Sequence, residues 1–432
     1  MVRFDAVIVG AGPAGSTAAL CLARAGARVA LVDRRAFPRD KACGDLVGPR
    51  GVRLLDELGV LPAVLAAGAR RVGDMIVVGP SGRRVLLPAM PGRDYPGYGI
   101  AVSRLALDAA LFQAAVAAGA VPVRDLVLGL TGDPTTPSGV RLAAGGDLAA
   151  AVVVGADGAT SRVAELAGLV DARRVLWGFA LRTYRDVTVE LPHILLWEPR
   201  PWRLFPGYGW IFPTADGRAN IGLGLGVAAD RSRARQAGER FDEFLVHLQH
   251  LGLLPATQPA AGPRLGGWLK MGAVATVPAR GTVLLAGDAA GLINPLQGEG
   301  IAPAIASGHA AATAILTGGP AGAATLYLDT LWTLTAHHRA NAPVQRAIVT
   351  HPGSISAVGR LLTAPVVRTA VAPTWALYWN DLVRGAQPSP HQKLAAGTTR
   401  LITALGTQSD TDERSTQAPD GLRQGRHTTN RR

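Results

Sequence analysis

The sequence predicts an α/β fold in which a nucleotide-binding domain, assembled from discontinuous segments, carries an inserted antiparallel β-sheet and a C-terminal helical region. Three observations indicate this fold. Residues 5–33 follow a strand–turn–helix–strand pattern, residues 74–88 and 175–226 alternate with Pro and Gly at turns, and a strand, a Gly-rich loop and a helix return over 282–316. Because the apolar period changes from strand to helix and back, the first pattern is typical of a right-handed βαβ unit.

The elements of the first unit follow from the residue pattern. DAVIVG is a short strand rich in Val and Ile, GAGPAG is a turn, STAALCLARAG is an apolar-periodic helix ended by Gly26, and ARVALVD is the second strand. Further elements are expected in this order: a helix over 103–118, strands over 121–131, 139–143 and 151–155, a helix over 241–252, a strand over 282–286 and a helix over 301–316.

Composition excludes several classes of protein. With 48% apolar and 17% charged residues, the chain of 432 residues is globular and long enough for two or more packed units. Its two cysteines cannot form a disulfide framework and its first residues lack a signal-peptide pattern, so a cytoplasmic location is expected. No run of 18 apolar residues is free of Arg, Pro and His, so any contact with the cell membrane would be peripheral, at its inner face.

The net charge of +13 raises the question of a nucleic-acid or membrane partner. The basic residues are scattered, however, and all but three of the 44 are Arg, which favours a compositional bias. No RNA-binding or helix-turn-helix motif accompanies them. We therefore expect no nucleic-acid partner.

A dinucleotide-binding motif lies in the first unit. Gly10, Gly12 and Gly15 give the GxGxxG spacing between a predicted strand and a predicted helix, and Asp33 ends the next strand. The first glycine allows a tight turn, the second lets the backbone approach a pyrophosphate, and the third lets helix and strand pack closely. Asp33 suits a ribose hydroxyl, so the segment predicts a Rossmann-type site without choosing between NAD and FAD.

Two later motifs favour FAD. Gly155-Ala156-Asp157-Gly158, followed by Ser161 and Arg162, resembles the "DG" signature of flavin-dependent hydroxylases, and Gly287-Asp288-Ala289-Ala290 resembles their "GD" signature. A carboxylate at a strand end, followed by glycine and a helix start, can bind ribityl hydroxyls. The chain therefore resembles FAD-binding proteins with the glutathione-reductase-type fold.

Three segments resemble the geranylgeranyl reductase family: FPRDKACGD over 37–45, PGYGWIFP over 206–213 and GDAAGLINPLQGEGI over 287–301. The likeness spans about residues 4–406 and is greatest to the bacterial members that saturate a prenyl double bond of menaquinone. Asp45 stands where many members have a second glycine. The resemblance implies an FAD-dependent reductase that saturates a carbon–carbon double bond in an isoprenoid chain, such as a geranylgeranyl or menaquinone-type prenyl group.

The resemblance also implies a domain organisation. The FAD-binding domain would comprise residues 1–73, 99–170 and 275–322, the substrate sheet 74–98 and 171–274, the C-terminal helical region 323–406, and a disordered tail 407–432.

The motifs and the resemblance together place one set of residues at the FAD: Gly10, Gly12, Pro13, Ala14, Gly15, Asp33, Arg34, Lys41, Ala42, Cys43, Gly44, Arg104, Asp157, Gly158, Gly287, Asp288, Gly298, Gly300 and Ile301. Arg104 opens a helix and is expected to reach the pyrophosphate as a charge-assisted donor. Gly298 and Gly300 would let backbone N–H groups approach the flavin ring, where side chains would collide.

Cys43, Tyr208 and Trp210 are the candidate catalytic residues. The family likeness puts Cys43 beside the isoalloxazine, with its chemical role open. Strand alternation points Tyr208 and Trp210 to one face, where the likeness implies a wall of the prenyl pocket. Tyr208 is also a candidate proton donor.

The sequence shows no second nicotinamide-binding domain, since Gly222–Gly226 lies in a strand-like stretch. NAD(P)H would therefore bind transiently, or a ferredoxin-type protein would donate electrons. His337 and His338 lack metal-ligand spacing, so no metal is expected. Aromatic residues of the C-terminal region are candidate walls of an apolar tunnel, and nearby arginines would suit a membrane surface: Trp332, Trp375, Tyr378 and Trp379, with Arg346, Arg360, Arg368 and Arg384.

Two other functions stay open from the sequence. An FAD-dependent monooxygenase acting on a lipophilic or specialised-metabolite substrate shares the same FAD signatures. A halogenase of the tryptophan type is disfavoured, because YGWIFP replaces its WxWxIP and residues 70–90 contain no Lys. A flavin-binding or membrane-surface adaptor without turnover is the third interpretation, and the intact flavin-facing segments argue against it.

Overall fold

The computed structural model describes residues 3–87, 89, 95–197, 207–228, 231–255, 262–294, 298–335, 357, 360, 363 and 364. Most of the predicted C-terminal helical region and the whole predicted tail lie outside the described residues. The same holds for His337, His338, Trp375, Tyr378, Trp379, Arg346, Arg368 and Arg384.

The helices within these residues are α1 (Pro13–Arg24), α2 (Pro49–Glu57), α3 (Leu61–Ala66), α4 (Arg104–Ala117), α5 (Arg162–Leu166), α6 (Ala237–His250) and α7 (Ile301–Leu334), with 3₁₀ turns at Arg231–Gln236 and Gly287–Ala290. The strands are β1 (Phe4–Val9), β2 (Val29–Asp33), β3 (Leu46–Val47), β4 (Arg70–Val72), β5 (Met75–Val78), β6 (Arg84–Leu87), β7 (Gly99–Ala101), β8 (Val121–Arg124), β9 (Val127–Gly132), β10 (Pro137–Leu142), β11 (Asp147–Gly155), β12 (Leu176–Arg185), β13 (His193–Trp197), β14 (Gly207–Pro213), β15 (Ala219–Ala228), β16 (Leu265–Met271), β17 (Ala279–Arg280) and β18 (Val283–Leu285).

The first sheet forms the nucleotide-binding domain. Its strand order is β17-β18-β11-β1-β2-β8, with β10 and β9 continuing from β11. β1 pairs in parallel with both β2 and β11, as the βαβ pattern predicts. The strand residues Ala6, Val7 and Ile8 are fully buried, because both faces of a parallel sheet are covered.

Helices α1 and α7 pack on this sheet at very short range. A Cβ on Gly308 would lie 2.2 Å from the backbone oxygen of Ala14, so only glycine lets the two helices approach this closely. α7 is long and apolar enough to span a membrane, but 72% of its most apolar window is buried, and its helical path is interrupted at Gly319, ahead of Pro320. These features indicate a core helix.

The second sheet has the order β16-β12-β15-β14-β13-β5-β6, and its strands fall within the segments predicted for the substrate domain. The sequence predicted an antiparallel sheet, and this is corrected to a mixed one, because β5 pairs in parallel with β13. The pairing joins two distant segments, which local alternation cannot reveal. Helix α6 covers one face, where Phe241 and Phe244 are fully buried.

A third sheet has the order β3-β7-β4. Its strands lie at the places in the chain where it passes from one of the two larger sheets to the other. The third sheet and helices α2 and α3 were not predicted, because strands of two or three residues carry no periodic signal. β3 starts directly after Asp45, so this small sheet anchors one end of the segment that becomes central below.

We predict that Gly308→Ala destabilises the fold by about 1–3 kcal/mol, because the added methyl group overlaps the backbone of α1. Gly322→Ala is the matched control. It lies in the same helix with open space around its Cβ position, so alanine should be neutral or stabilise by up to about 1 kcal/mol. Urea unfolding followed by circular dichroism measures both. Equal effects of the two substitutions would contradict the close packing of α1 on α7.

Candidate active site

The phosphate-binding loop is built by close backbone contacts. Gly10 has φ +99°, and a Cβ there would lie 2.3 Å from the Ala156 oxygen, whereas a Cβ on Gly15 would lie 1.8 Å from the Gly10 oxygen. Helix α1 begins at Pro13, and no side chain caps its N-terminus. The loop therefore directs the helix N-terminus at a space that suits a phosphate group.

Asp33 holds this loop from the end of β2. Its carboxylate accepts the backbone N–H of Ala11 at 2.9 Å and that of Arg35 at 2.9 Å. Arg34, also predicted at the cofactor, is exposed beside it.

Arg39 lies over the loop, a position the sequence did not assign to it. One Nη atom lies 3.0 Å from Oδ2 of Asp108, and Nε lies 3.9 Å from Oδ2 of Asp33. The other Nη atom would be 3.4 Å from a Cβ on Gly12. The segment FPRDKACGD contains two basic residues, Arg39 and Lys41, and its pattern does not distinguish which of them reaches the phosphate loop.

Arg104 forms a buried ion pair at the start of helix α4. Its Nε and one Nη atom donate to the two oxygens of Asp108 at 2.7 and 2.6 Å, and both side chains are buried. Burial alone would lower the pKa of Arg104, but the Asp108 carboxylate raises it above the ordinary value, so the guanidinium stays charged. The expected contact of Arg104 with the pyrophosphate stays a prediction. Arg39 lies over the phosphate loop, and Asp108 accepts from both Arg39 and Arg104.

The residues from Arg39 to Asp45, here called the 39–45 loop, connect the two domains by alternating charges. Lys41 Nζ lies 3.0 Å from Oδ2 of Asp288, which belongs to the nucleotide-binding domain. Asp40 Oδ2 lies 2.5 Å from Nη2 of Arg182, a fully buried residue of the second sheet. Neighbouring side chains of one loop therefore bind opposite domains.

Cys43 and Gly44 lie where this loop meets β14. The Cys43 carbonyl accepts a hydrogen bond from Nδ2 of Asn220 at 2.8 Å. A Cβ on Gly44 would lie 2.9 Å from the Phe212 ring and 3.4 Å from Nε1 of Trp210, so glycine is required by these aromatic side chains. Burial raises the pKa of the Cys43 thiol, which therefore stays protonated at neutral pH.

Tyr208, Trp210 and Phe212 line one face of β14, as the alternation predicts. Successive ring centroids are 6.0 and 6.2 Å apart. A Cβ on Gly298 would lie 2.1 Å from the Tyr208 hydroxyl, so this side chain reaches the loop before α7. Burial raises the pKa of Tyr208, which makes its hydroxyl a weaker acid than that of free tyrosine.

The two signature aspartates have different surroundings. Asp288 pairs with Lys41, and one of its oxygens would be 3.5 Å from a Cβ on Gly300. Asp157 instead accepts from Ser161 Oγ at 2.5 Å and from the backbone N–H of Arg162 at 2.7 Å. These contacts tie Asp157 to the start of helix α5, whose N-cap residue is Ser161, and its expected role as a ribityl ligand stays a prediction.

Lys270 is a second residue that the sequence did not identify. It is 1% exposed on β16, and its Nζ donates to the Ala289 carbonyl at 2.5 Å. Burial lowers the pKa of Lys270 to about 8. The contact joins the second sheet to the turn that carries Asp288.

The other predicted residues surround this junction. Pro13, Ala14 and Ile301 are buried at helix starts, Gly158, Gly287 and Gly298 have positive φ, and Ala42 lies 3.3 Å from a Cβ built on Gly267. Gly287 is packed against Ala14, which brings the GxGxxG and GD segments together. Among the described residues there is no group of three or more His, Cys, Asp or Glu side chains that could hold a metal ion.

The residues fit FAD. The glycine cradle and uncapped helix α1 suit a pyrophosphate, Asp33 and Arg39 flank it, and the Lys41–Asp288 pair lies where the ribityl and flavin portion would extend. Residues 3–347 match the family described as an FAD binding domain.

Two curated relatives are reductases. A menaquinone reductase of Mycolicibacterium smegmatis is 36% identical over 73% of this chain and 77% of its own. A digeranylgeranylglycerophospholipid reductase of Methanopyrus kandleri is 30% identical over 72% of this chain and 76% of its own. The chain belongs to the geranylgeranyl reductase family of FAD-dependent oxidoreductases. This confirms the resemblance and the FAD cofactor inferred from the sequence.

Solved structures show the fold that this family member shares. A geranylgeranyl bacteriochlorophyll reductase-like protein from Thermoplasma acidophilum has a TM-score of 0.71 and 24% identity, covering 87% of this chain and 96% of its own. A flavin-dependent brominase has a TM-score of 0.68 and 17% identity, covering 96% and 100%. The predicted FAD-binding α/β fold with an inserted sheet is thereby confirmed.

We predict that Arg39→Met weakens FAD binding by about 10- to 100-fold, the range expected for losing a hydrogen bond to a charged group. Fluorescence titration of apoprotein with FAD measures the affinity. Arg28→Met is the control, because Arg28 forms an exposed pair with Asp5 at the opposite end of β2. Loss of affinity in both variants, or in neither, would contradict the assignment of Arg39.

We also predict that stability decreases as pH rises from about 4 to 6, because of Asp45. Burial raises the pKa of Asp45 from 3.8 to about 6. Between these values the folded state keeps a proton that the unfolded state has lost. The unfolding free energy therefore falls by about 2–3 kcal/mol as the pH rises across this interval.

Asp45→Asn removes the titrating group, so its unfolding free energy should lack this decrease. The exposed Asp216, whose pKa is lowered to about 2 by Arg218, does not titrate in this interval, and Asp216→Asn serves as control. Urea unfolding at the two ends of the pH interval checks the prediction, and an unchanged pH dependence in Asp45→Asn would refute it.

Proposed function

We propose that this protein reduces a carbon–carbon double bond in an isoprenoid chain, with the prenyl side chain of menaquinone as its substrate class. The observation that carries the proposal is the aromatic face of Tyr208, Trp210 and Phe212, which closes directly on Cys43 and Gly44 beside the FAD-binding domain. The names of the curated relatives, menaquinone reductase and digeranylgeranylglycerophospholipid reductase, support the same substrate class.

An apolar patch continues from the aromatic face across the second sheet. It comprises buried side chains of β5, β6, β12 and β13: Met75, Val77, Val85, Leu87, Ala180 and Ile194. These side chains pack as a hydrophobic core beside the aromatic face, so the surroundings of the proposed pocket are apolar, which supports a hydrocarbon substrate.

The chemistry divides between cofactor and protein. When bound and reduced, FAD would supply a hydride to one carbon of the double bond, and the other carbon would take a proton, for which Tyr208 is the candidate donor. An isolated alkene has no carbonyl group to stabilise developing charge, so the residues of this chain must act by positioning the double bond and excluding water. Trp210 is fixed for this role, since its Nε1 donates to Oδ1 of Asn220 at 2.9 Å and its ring fills the space left by Gly222.

The electron donor and location extend this proposal. We propose that NAD(P)H or a ferredoxin-type protein donates electrons during a transient encounter, since Gly222–Gly226 forms part of strand β15 and no second GxGxxG unit is evident in the sequence. A lipid-dissolved substrate supports a cytoplasmic protein that contacts the inner face of the cell membrane peripherally.

The decisive experiment is anaerobic turnover of menaquinone with the purified flavoprotein and dithionite as reductant. After the quinol ring has been reoxidised in air, mass spectrometry should show a gain of two hydrogen masses per reduced bond in the side chain, and a reaction without enzyme should show none. A product that forms only with oxygen and gains one oxygen mass would instead support a monooxygenase, the alternative that shares this FAD fold. A protein that binds FAD but turns over neither way would support the adaptor interpretation.

We predict that Trp210→Leu lowers kcat/KM for the prenyl substrate by about 10- to 100-fold, because a loosened wall misplaces the double bond by about 1 Å. Steady-state kinetics with a prenylated quinone measures the loss, and FAD content should stay unchanged. Trp197→Phe is the matched control, since Trp197 packs on Phe244 on the opposite face of the same sheet. A comparable loss in the control would show that sheet stability, not the pocket wall, is responsible.

A further inference from the structure

A buried carboxyl group lies beneath Cys43, and the proposed function does not yet use it. Asp45 is 2% exposed and has φ +60°, a conformation that aspartate tolerates better than most residues. Its Oδ2 accepts the Tyr184 hydroxyl at 2.5 Å and Nδ2 of Asn220 at 2.8 Å. Its Oδ1 is buried and accepts no hydrogen bond from the described residues.

Asp45 is joined to Cys43 in two ways. Its backbone N–H donates to Sγ of Cys43 at 3.4 Å. The Asn220 amide bridges the two residues, because Nδ2 donates at 2.8 Å both to the Cys43 carbonyl and to Asp45 Oδ2. The same amide accepts from Trp210 through Oδ1, so one side chain fixes the acid, the cysteine and the aromatic wall together.

The charges around this cluster come from three elements. Burial raises the pKa of Asp45, whereas Tyr184, Asn220, Arg182 on β12 and Arg104 on α4 lower it. For the Cys43 thiol, burial and the Asp45 carboxylate raise the pKa, and Arg104 and Lys41 lower it. Asp45 therefore acts on the thiol in the opposite direction to Arg104 and Lys41, which are themselves paired with Asp108 and Asp288.

We propose that Asp45 is a positioning residue that, through Asn220, fixes Cys43 and Trp210 relative to each other and adds to the effect of burial in keeping the Cys43 thiol neutral. A thiolate would bring a charge into a pocket that has to accept a hydrocarbon, and its desolvation would be costly. The benefit to catalysis rests on the proposed reductase function, but the effect on the thiol does not.

The first test follows alkylation of Cys43 by iodoacetamide in the FAD-bound protein. The chain has two cysteines, so a Cys21→Ser background leaves Cys43 as the only thiol. Asp45→Asn keeps the shape but removes the charge, so the pH midpoint of alkylation should fall by about one unit and the rate near neutral pH should rise about tenfold.

The control for this measurement is Asp216→Asn, which removes an exposed carboxylate from the β14–β15 turn and should leave the midpoint unchanged. If Asp45→Asn only loosened packing, the plateau rate at high pH would increase without a shift of the midpoint. That result, or an unchanged profile, would overturn the proposal.

A second measurement tests the hydrogen-bonded acid itself. The infrared difference spectrum between about pH 5 and pH 8 should contain a protonated-carboxyl band that is missing in Asp45→Asn. Tyr184→Phe removes a donor that favours the carboxylate, so the midpoint of this band should move to higher pH. A band that persists in Asp45→Asn, or a midpoint that Tyr184→Phe does not move, would refute the assigned network.

Kinetics separates this inference from the proposed function. If the wild type reduces prenyl bonds, Asp45→Asn should lower kcat more than it raises KM, with a changed pH profile and unchanged FAD content. A shifted thiol midpoint in a protein that reduces no prenyl bond would leave the Asp45 assignment standing and reject the reductase proposal. An unshifted thiol midpoint in a protein that does reduce prenyl bonds would reject the Asp45 assignment and leave the reductase proposal standing.

Discussion

The alternating charges of the 39–45 loop are the constraint on which the site depends. Arg39 and Lys41 bind carboxylates of the FAD-binding domain, whereas Asp40 binds Arg182 of the second sheet. Several of these groups are buried or half-buried, and breaking a buried pair leaves an uncompensated charge, so the cost of separating the domains is concentrated in one short segment. Cys43 and Gly44 follow directly in the chain. Their placement between the FAD-binding domain and the aromatic face of β14 is therefore a consequence of the ion pairs before them.

The second sheet is tied to the cofactor-binding turn at another point as well. Lys270 crosses from β16 to the Ala289 carbonyl, next to the aspartate that pairs with Lys41. Burial of the Lys270 amine costs desolvation free energy, as its lowered pKa indicates. A hydrophobic contact would stabilise this junction at least as well if stability were the only requirement. The directionality of the Lys270 contact is the advantage, because a hydrogen bond fixes the distance between the sheet and the turn. Together with the 39–45 loop it holds the aromatic face of β14 at a defined position relative to the FAD-binding domain.

Local sequence signals predicted the parts of this molecule that depend on local backbone geometry. Gly10 and Gly15 were predictable because their spacing reflects contacts within one strand–turn–helix unit, and the aromatic face of β14 follows from strand alternation. The partners of side chains were not predictable in the same way. Arg39 and Arg104 have similar chemistry, and only the fold decides which one lies over the phosphate loop. Asp157 ends a strand and precedes a helix, which is compatible with ligand binding and with capping alike, and the parallel pairing of β5 with β13 joins segments more than 100 residues apart.

Asp45 combines two energetic costs in one residue. Glycine is the residue most at ease at positive φ, so an aspartate at φ +60° bears conformational strain. The burial of its carboxyl group adds a desolvation cost, and Tyr184 and Asn220 offset only part of it, because Oδ1 accepts no hydrogen bond within the part of the chain that the structure describes. Asp45 is hydrogen-bonded to Cys43 directly and to Trp210 through Asn220. A gain in stability does not explain a residue that bears both strain and desolvation. They are consistent with a residue retained for the geometry and protonation state of the groups above it.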